Sequence, residues 1–122
     1  MAKKILFIED EPALQQTLVS VMQKEGFEMF SANDGKTALE LLANEEFDLV
    51  LLDLILPKIN GFEILQTMKK EGKNTQTPVV VLTNLETSAD IQKAIEFGAM
   101  TYLVKANYEL PDIVEKIKSF LK

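Results

Sequence analysis

The sequence has no cysteine, histidine or arginine, and each absence limits the chemistry available to the chain. Without cysteine there are no disulfides and no thiolate metal sites. Without histidine the chain lacks the side chain whose ordinary pKa makes it a general base near neutral pH, and it has no phosphohistidine carrier. Without arginine the chain lacks the bidentate guanidinium that binds phosphate or guanine.

The charge balance is acidic, because 19 Asp and Glu residues outnumber 13 basic residues, all of them Lys, for a formal net charge of −6. Binding to nucleic acid by counterion release needs clustered cationic side chains. We therefore expect no direct nucleic-acid binding. No apolar run approaches the roughly 20 residues that span a bilayer, so we expect no membrane segment and a cytoplasmic location.

The length of 122 residues fits one domain, residues 1–122. Domains usually run to about 100–150 residues, and a chain of this size buries about two thirds of the surface that it exposes when unfolded. That burial is enough for stability without crosslinks. No linker, internal repeat or low-complexity segment divides the sequence, so we expect a single core.

Short apolar runs alternate with stretches of helical periodicity along the whole chain. The predicted strands are residues 4–8, 27–32, 49–52, 78–82 and 101–104. Pro12 suits a first helical turn, Thr87 and Asp90 form a capping box, and Gly98 closes the fourth helix after Phe97. Strands that are apolar on both faces are typical of a parallel sheet covered by helices on each side. The pattern predicts a doubly wound α/β fold with a five-stranded parallel sheet.

Four of the predicted strands end at polar residues: Glu9 and Asp10, then Asp53, Thr83 and Lys105. The carboxyl ends of parallel strands meet at one edge, where doubly wound folds bind ligands. Three carboxylates repel one another unless a cation neutralises them, and their hard oxygens suit Mg²⁺. An ammonium and a hydroxyl at the same edge can hold phosphoryl oxygens. Singly, each residue has an ordinary explanation as a cap, a turn residue or a solvated charge; chance would rarely give all of them in this order.

The sequence resembles the receiver domains of bacterial response regulators over essentially its whole length. The matching stretches are residues 5–11 (ILFIEDE), 48–54 (DLVLLDL), 56–57 (LP), 60–61 (NG), 78–83 (PVVVLT), 98–99 (GA) and 102–105 (YLVK). The resemblance implies the flavodoxin-like (βα)5 fold of chemotaxis receivers. It also implies a phosphorylation-dependent switch of two-component signalling, which catalyses only its own phosphotransfer and dephosphorylation and is not otherwise an enzyme.

By the same resemblance, Asp53 is the phosphate acceptor. Asp10 and Asp53 ligate Mg²⁺ together with the backbone carbonyl of Ile55, and Glu9 holds the metal through water. Many receivers have Asp at the position of Glu9, but Glu is common enough there for metal binding to be expected.

Thr83 and Lys105 are implied to hold the phosphoryl group, and Tyr102 to be the aromatic that changes rotamer with Thr83. An ordinary half-buried strand aromatic remains the alternative for Tyr102. Lys105 is followed by Ala106, where the family usually has a proline after a cis bond. A cis bond before a residue other than proline costs about 2.5–4 kcal/mol, so the loop is either trans and reshaped or strained.

The implied partners are a sensor histidine kinase or phosphotransfer protein, which donates the phosphate, and an unknown output protein. The fourth helix, fifth strand and fifth helix form the implied output face, and the chain is expected to be a monomer or a phosphorylation-dependent dimer. Met100 and Thr101 stand where the receivers of winged-helix regulators usually carry acids that pair with Arg across a dimer face, and with no Arg in the chain that ion-pair network cannot form. The candidate output residues are Ile91, Ile95, Tyr102 and Lys116, and a core position is the alternative for Ile91 and Ile95.

Three other functions compete with this one. A pseudo-receiver would keep the fold without phosphorylation, but the acid, Thr and Lys positions are complete. A magnesium-dependent phosphatase or transferase generally has a second Asp two residues after its nucleophile, where this chain has Ile55. A dinucleotide-binding domain needs glycines in the loop after the first strand, and that loop has none.

Ile55 and Asn84 bear on how long a phosphate would persist. Hydrolysis needs a water in line with the bond to Asp53, and an isoleucine cannot orient it. We therefore predict slow self-dephosphorylation. Asn84 can crowd the same approach or hydrogen-bond the water, so its effect has no predicted sign.

Overall fold

The structure is a computed structural model that describes residues 2–121. Its elements, in chain order, are β1 (Lys4–Ile8), α1 (Pro12–Lys24), β2 (Glu28–Ala32), α2 (Gly35–Asn44), β3 (Leu49–Leu52), α3 (Gly61–Lys70), β4 (Val79–Thr83), α4 (Ser88–Glu96), β5 (Thr101–Val104), a 3-10 turn (Lys105–Asn107) and α5 (Leu110–Phe120). None of the helices within residues 2–121 is long and apolar enough to cross a membrane.

The five strands form one parallel sheet in the order β2-β1-β3-β4-β5. The predicted doubly wound fold is confirmed. The chain runs from β1 to β2 on one side and returns to β3 on the other, so β1 and β3 are neighbours at the point where the order reverses. This is the position at which open α/β sheets bind ligands. Ile8 pairs with Leu52, which places the residues after these two strands side by side.

Each face of the sheet carries its own core. Alternate residues of the strands point to opposite faces, so Leu6 and Val50 pack with α2, α3 and α4, whereas Phe7 and Leu51 pack with α1 and α5. All of β3 is buried, as its continuous apolar run predicts. Helices on both faces leave the carboxyl edge of the sheet free to carry polar side chains.

Side-chain caps fix the start of three helices. The carboxylate of Asp34 accepts a hydrogen bond from the backbone N–H of Thr37, and Asn60 caps α3 in the same way. The predicted cap at Thr87 is confirmed, because its hydroxyl accepts from the N–H of Asp90 at 3.1 Å. These caps satisfy N–H groups that have no partner inside the helix.

Candidate functional site

Three acids converge at the carboxyl edge of β1 and β3. Carboxylate oxygens of Glu9, Asp10 and Asp53 all lie within 4.8 Å of one another. Glu9 is completely buried and Asp53 is 3% exposed, whereas Asp10 faces solvent. The predicted acid cluster is therefore present, with two of its members withdrawn from water and one at the surface.

Burial makes Glu9 a weak acid. The pKa of Glu9 is raised to about 7, chiefly by desolvation; the hydrogen bond and charge of Lys105 lower it, and the negative charge of Asp53 raises it. When all three acids are ionised, they carry three negative charges beside the one positive charge of Lys105. The cluster therefore has a deficit of positive charge, together with the hard oxygen donors that Mg²⁺ prefers.

Lys105 supplies the nearest positive charge. Its Nζ lies 2.7 Å from Glu9 Oε1 and 2.9 Å from Asp53 Oδ2, and its side chain is 13% exposed. Burial alone would lower the pKa of Lys105, but its bonds to Glu9 and Asp53 outweigh that effect and raise it. Lys105 is thus held as an ammonium in direct contact with both buried acids.

The backbone around Asp53 is tightly held. The N–H of Asp53 donates to the carbonyl of Ile8 at 3.0 Å, which continues the pairing of β1 and β3. Asp53 Oδ1 accepts from the N–H of Ile55, also at 3.0 Å. Gly61 donates to the carbonyl of Leu54 and lies so close that a Cβ there would be 2.5 Å from the Asp53 carbonyl oxygen. This close approach explains why a glycine is needed at position 61.

The hydroxyl of Thr83 has no hydrogen-bond partner within the described residues 2–121, although it is completely buried. Thr83 ends β4, the neighbour of β3, so it lies at the same edge as Asp53. A buried polar group without a partner costs about 1–3 kcal/mol. The Thr83 hydroxyl is therefore available to a ligand oxygen at the edge where open α/β sheets bind ligands.

Tyr102 is tied to the loop after β4. Its hydroxyl donates to the carbonyl of Leu85 at 2.7 Å. Its side chain is half-buried, and burial raises its pKa to about 12. Tyr102 pairs with Val81 on β4, two residues before Thr83, so it lies further down the sheet than the acid cluster. The contact with Leu85 links it to the loop that follows Thr83, and the rotamer change stays a prediction.

The Lys105–Ala106 peptide bond is trans, like all others within residues 2–121. The sequence left open a trans bond with a reshaped loop or a strained cis bond. The structure has the trans bond, and residues 105–107 form the 3-10 turn. Because residue 106 is not a proline, it has a backbone N–H, and this N–H donates to Asn84 Oδ1 at 3.2 Å. The side-chain oxygen of Asn84 is therefore engaged with protein.

Gln15 also belongs to the site, although it was not predicted from the sequence. Its Nε2 donates to the carbonyl of Glu9 at 3.0 Å and to that of Ala32 at 3.2 Å. Gln15 thereby joins the ends of β1 and β2 behind the acid cluster. A glutamine one turn after Pro12 indicates such a role only weakly, because a polar residue at that position is equally compatible with an exposed helix face.

Comparison with known proteins agrees with this geometry. The family model "Response regulator receiver domain" matches residues 5–118. Sporulation initiation phosphotransferase F of Bacillus subtilis is 35% identical over 121 residues, which cover 99% of this chain and 95% of that protein. Other curated relatives are longer, since the chain spans only 49% and 55% of two transcriptional regulatory proteins that it matches.

Two solved structures are also similar. A CheY-like receiver domain protein from Methanospirillum hungatei superimposes with a TM-score of 0.91 at 27% identity, covering 99% of this chain and 94% of that one. The Mn²⁺-bound form of the response regulator Rcp1 gives a TM-score of 0.86 at 31% identity, covering 97% and 93%. With the family match, the parallel sheet and the acid cluster in agreement, the chain belongs to the response regulator receiver domain family.

Proposed function

We propose that the chain is a signalling switch that accepts a phosphoryl group on Asp53, with Mg²⁺, from the phosphohistidine of a partner kinase or phosphotransfer protein. The observation that carries this proposal is the position of Asp53. It is a buried carboxylate beside two other acids, and the Lys105 ammonium lies 2.9 Å away. A nucleophile and a cation are thus already in contact at the ligand-binding edge of the sheet.

The donor set at this edge fits a divalent cation. Asp10 and Asp53 would bind it directly, with the carbonyl of Ile55, and Glu9 would hold it through water. The charge count supports this assignment, because three carboxylates face the one ammonium of Lys105 at this edge. When bound, Mg²⁺ would supply the charge that lets an anionic phosphoryl group approach these carboxylates.

The transfer needs an Asp53 oxygen as the nucleophile. That oxygen forms a bond to phosphorus, the phosphorus–nitrogen bond of the donor's phosphohistidine breaks, and the imidazole leaves with the electron pair and takes up a proton. Lys105 then gives up its bond to Asp53 Oδ2 for one to a phosphoryl oxygen. The Thr83 hydroxyl, which has no partner within the chain as described, gains one in the phosphoryl group.

The output surface proposed here consists of α4, β5 and α5. It exposes large apolar side chains, since Ile95 on α4 is 47% exposed and Met100, directly before β5, is 45% exposed. Ile95 is thus a surface residue and not core, whereas Ile91 is half-buried. Lys116 is exposed on α5, with its Nζ 5.5 Å from the centre of the Tyr108 ring. Apolar side chains rimmed by charge favour contact with a protein target.

Incubation with acetyl phosphate and Mg²⁺, followed by intact mass measurement, tests this function. The parent protein should gain the mass of one phosphoryl group, and Asp53→Asn should gain none. If neither the parent nor Asp53→Asn gains mass, the chain keeps the fold but is not phosphorylated, and that result would support a pseudo-receiver.

A further inference from the structure

Asn84 and Ala106 are joined by a hydrogen bond that requires a residue other than proline at position 106. Ala106 follows Lys105, and because it is not a proline it has an N–H to donate. That N–H lies 3.2 Å from Asn84 Oδ1, across 22 residues of sequence. The bond connects the loop after β4 with the 3-10 turn after β5.

The turn that donates this bond, through the Ala106 N–H, is also the turn from which Lys105 reaches the acids. The strand pairing of β4 with β5 ends at Thr83 and Val104. Beyond that point the backbone of Lys105 and Ala106 leaves the sheet, and Ala106 is exposed to solvent. A lysine side chain has four rotatable methylenes and loses much rotamer freedom when it is fixed. A backbone that is held in place reduces the freedom that is lost when the ammonium is fixed between Glu9 and Asp53.

We infer that Asn84 is a positioning residue for the phosphotransfer reaction, which acts on Lys105 through the Ala106 N–H. The inference rests on the proposed function, since it assigns a role within the same site. The Asn84 side chain replaces the restriction that a proline ring would otherwise place on this turn. Loss of the bond should let the turn move and allow Lys105 to leave its position between Glu9 and Asp53.

The predicted effects are selective. Asn84→Ala should slow the phosphorylation of Asp53 by acetyl phosphate about fivefold, the factor that corresponds to one ordinary hydrogen bond. Affinity for beryllofluoride, which occupies the phosphoryl position, should fall by a similar factor. Mg²⁺ affinity should not change, because the carboxylates of Glu9, Asp10 and Asp53 are left intact. If Asn84 only stabilised the fold, Asn84→Ala would instead lower the urea midpoint of unfolding and weaken the binding of beryllofluoride and of Mg²⁺ together.

A double-mutant cycle tests the route through the Ala106 N–H. Ala106→Pro removes that N–H, so adding Asn84→Ala to it should slow phosphorylation no further. Ala106→Gly keeps the N–H, so Asn84→Ala should retain its full fivefold effect in that background. Amide hydrogen exchange provides an independent measurement, and the Ala106 N–H should exchange faster in Asn84→Ala than in the parent.

Two results would overturn the inference. In one, Asn84→Ala slows the reaction equally in the Ala106→Pro and Ala106→Gly backgrounds, which would mean that Asn84 acts on the phosphoryl group without Ala106. In the other, the parent is phosphorylated on Asp53 and Asn84→Ala reacts at the same rate. A parent that is not phosphorylated at all would instead refute the proposed function, so the two failures are distinguishable.

Discussion

Lys105 Nζ lies 2.9 Å from Asp53 Oδ2, although 52 residues separate them in the chain. The two residues follow β5 and β3, and β4 lies between these strands in the sheet. Lys105 must therefore reach across the end of β4, which a long side chain can do and a short one cannot. The contact balances part of the negative charge of the acid cluster and brings the ammonium to the proposed nucleophile.

Removal of the Asp10 carboxylate tests the metal site. Asp10→Ala should weaken Mg²⁺ binding at least tenfold, about the smallest loss seen when even a supporting residue of a metal site is removed. Titration calorimetry measures this affinity. Asp48→Ala is the matched control, because it removes one negative charge at the start of β3, at the opposite edge of the sheet.

The stability of Asp10→Ala without metal shows whether its fold is intact. The variant should unfold at the same temperature as the parent or higher, because one of three mutually repelling carboxylates is gone. A folded Asp10→Ala that binds Mg²⁺ as tightly as the parent would remove Asp10 from the metal site.

Ile55 should control the lifetime of the phosphorylated protein. It is 51% exposed, and its backbone N–H is bound to Asp53 Oδ1, so its side chain lies at the mouth of the site. Ile55→Asn should accelerate dephosphorylation by roughly tenfold or more, because a polar side chain can orient the attacking water. The measurement is the decay of phosphoprotein in excess Mg²⁺ after the donor is removed. Ile55→Val is the apolar control and should decay like the parent, whereas equal rates for all three proteins would exclude this role.

Gly61 should be required for the geometry of Asp53. A Cβ at this position would lie 2.5 Å from the Asp53 carbonyl oxygen, so Gly61→Ala must displace the backbone at a cost of about 1–3 kcal/mol. Gly35→Ala is the control, since its Cβ would meet Ile59, 2.6 Å away, and not Asp53. Urea unfolding should show both variants to be destabilised. Phosphorylation by acetyl phosphate should slow more in Gly61→Ala, and equal slowing would mean that only stability was lost.

Lys58 has a left-handed backbone conformation, with φ of 68°. This region costs residues other than glycine about 1–2 kcal/mol, and Asn less than most. Lys58→Asn should therefore raise the free energy of unfolding by about 0.5–1 kcal/mol. Lys58→Ala removes the same charge but keeps the backbone cost, so it should not share the gain. If thermal unfolding shows equal stabilisation in both variants, the loss of charge and not the backbone conformation is responsible.

The strand positions were predictable because this sheet is buried on both faces. A strand such as residues 49–52 has no polar side, and its apolar run ends where Asp53 begins. The errors lie at element ends. Pro78 falls outside β4 and Thr83 falls inside it, since the pairing with β5 extends to Thr83 and Val104. Phe97 caps α4 and does not extend it. Such bounds depend on which neighbour a residue pairs with, and one sequence does not contain that information.

The residues of the acid cluster could also be predicted, because strand ends in a parallel sheet share one edge. The contacts of the two loops could not. The bond between Asn84 and Ala106 depends on a trans peptide at Lys105, which the sequence left open. The hydrogen bond from Tyr102 to the Leu85 carbonyl involves a backbone atom, and side-chain identity does not specify its partner.

Reduction with borohydride tests most directly whether Asp53 carries the phosphate. Hydride converts an aspartyl phosphate to homoserine with release of phosphate, and peptide mass spectrometry locates the altered residue. After treatment with acetyl phosphate and Mg²⁺, homoserine should appear at position 53 in the parent protein and nowhere in Asp53→Asn. Homoserine at position 10 or 48 in the parent, or a phosphorylated protein that yields none, would contradict the assignment of Asp53 as the acceptor.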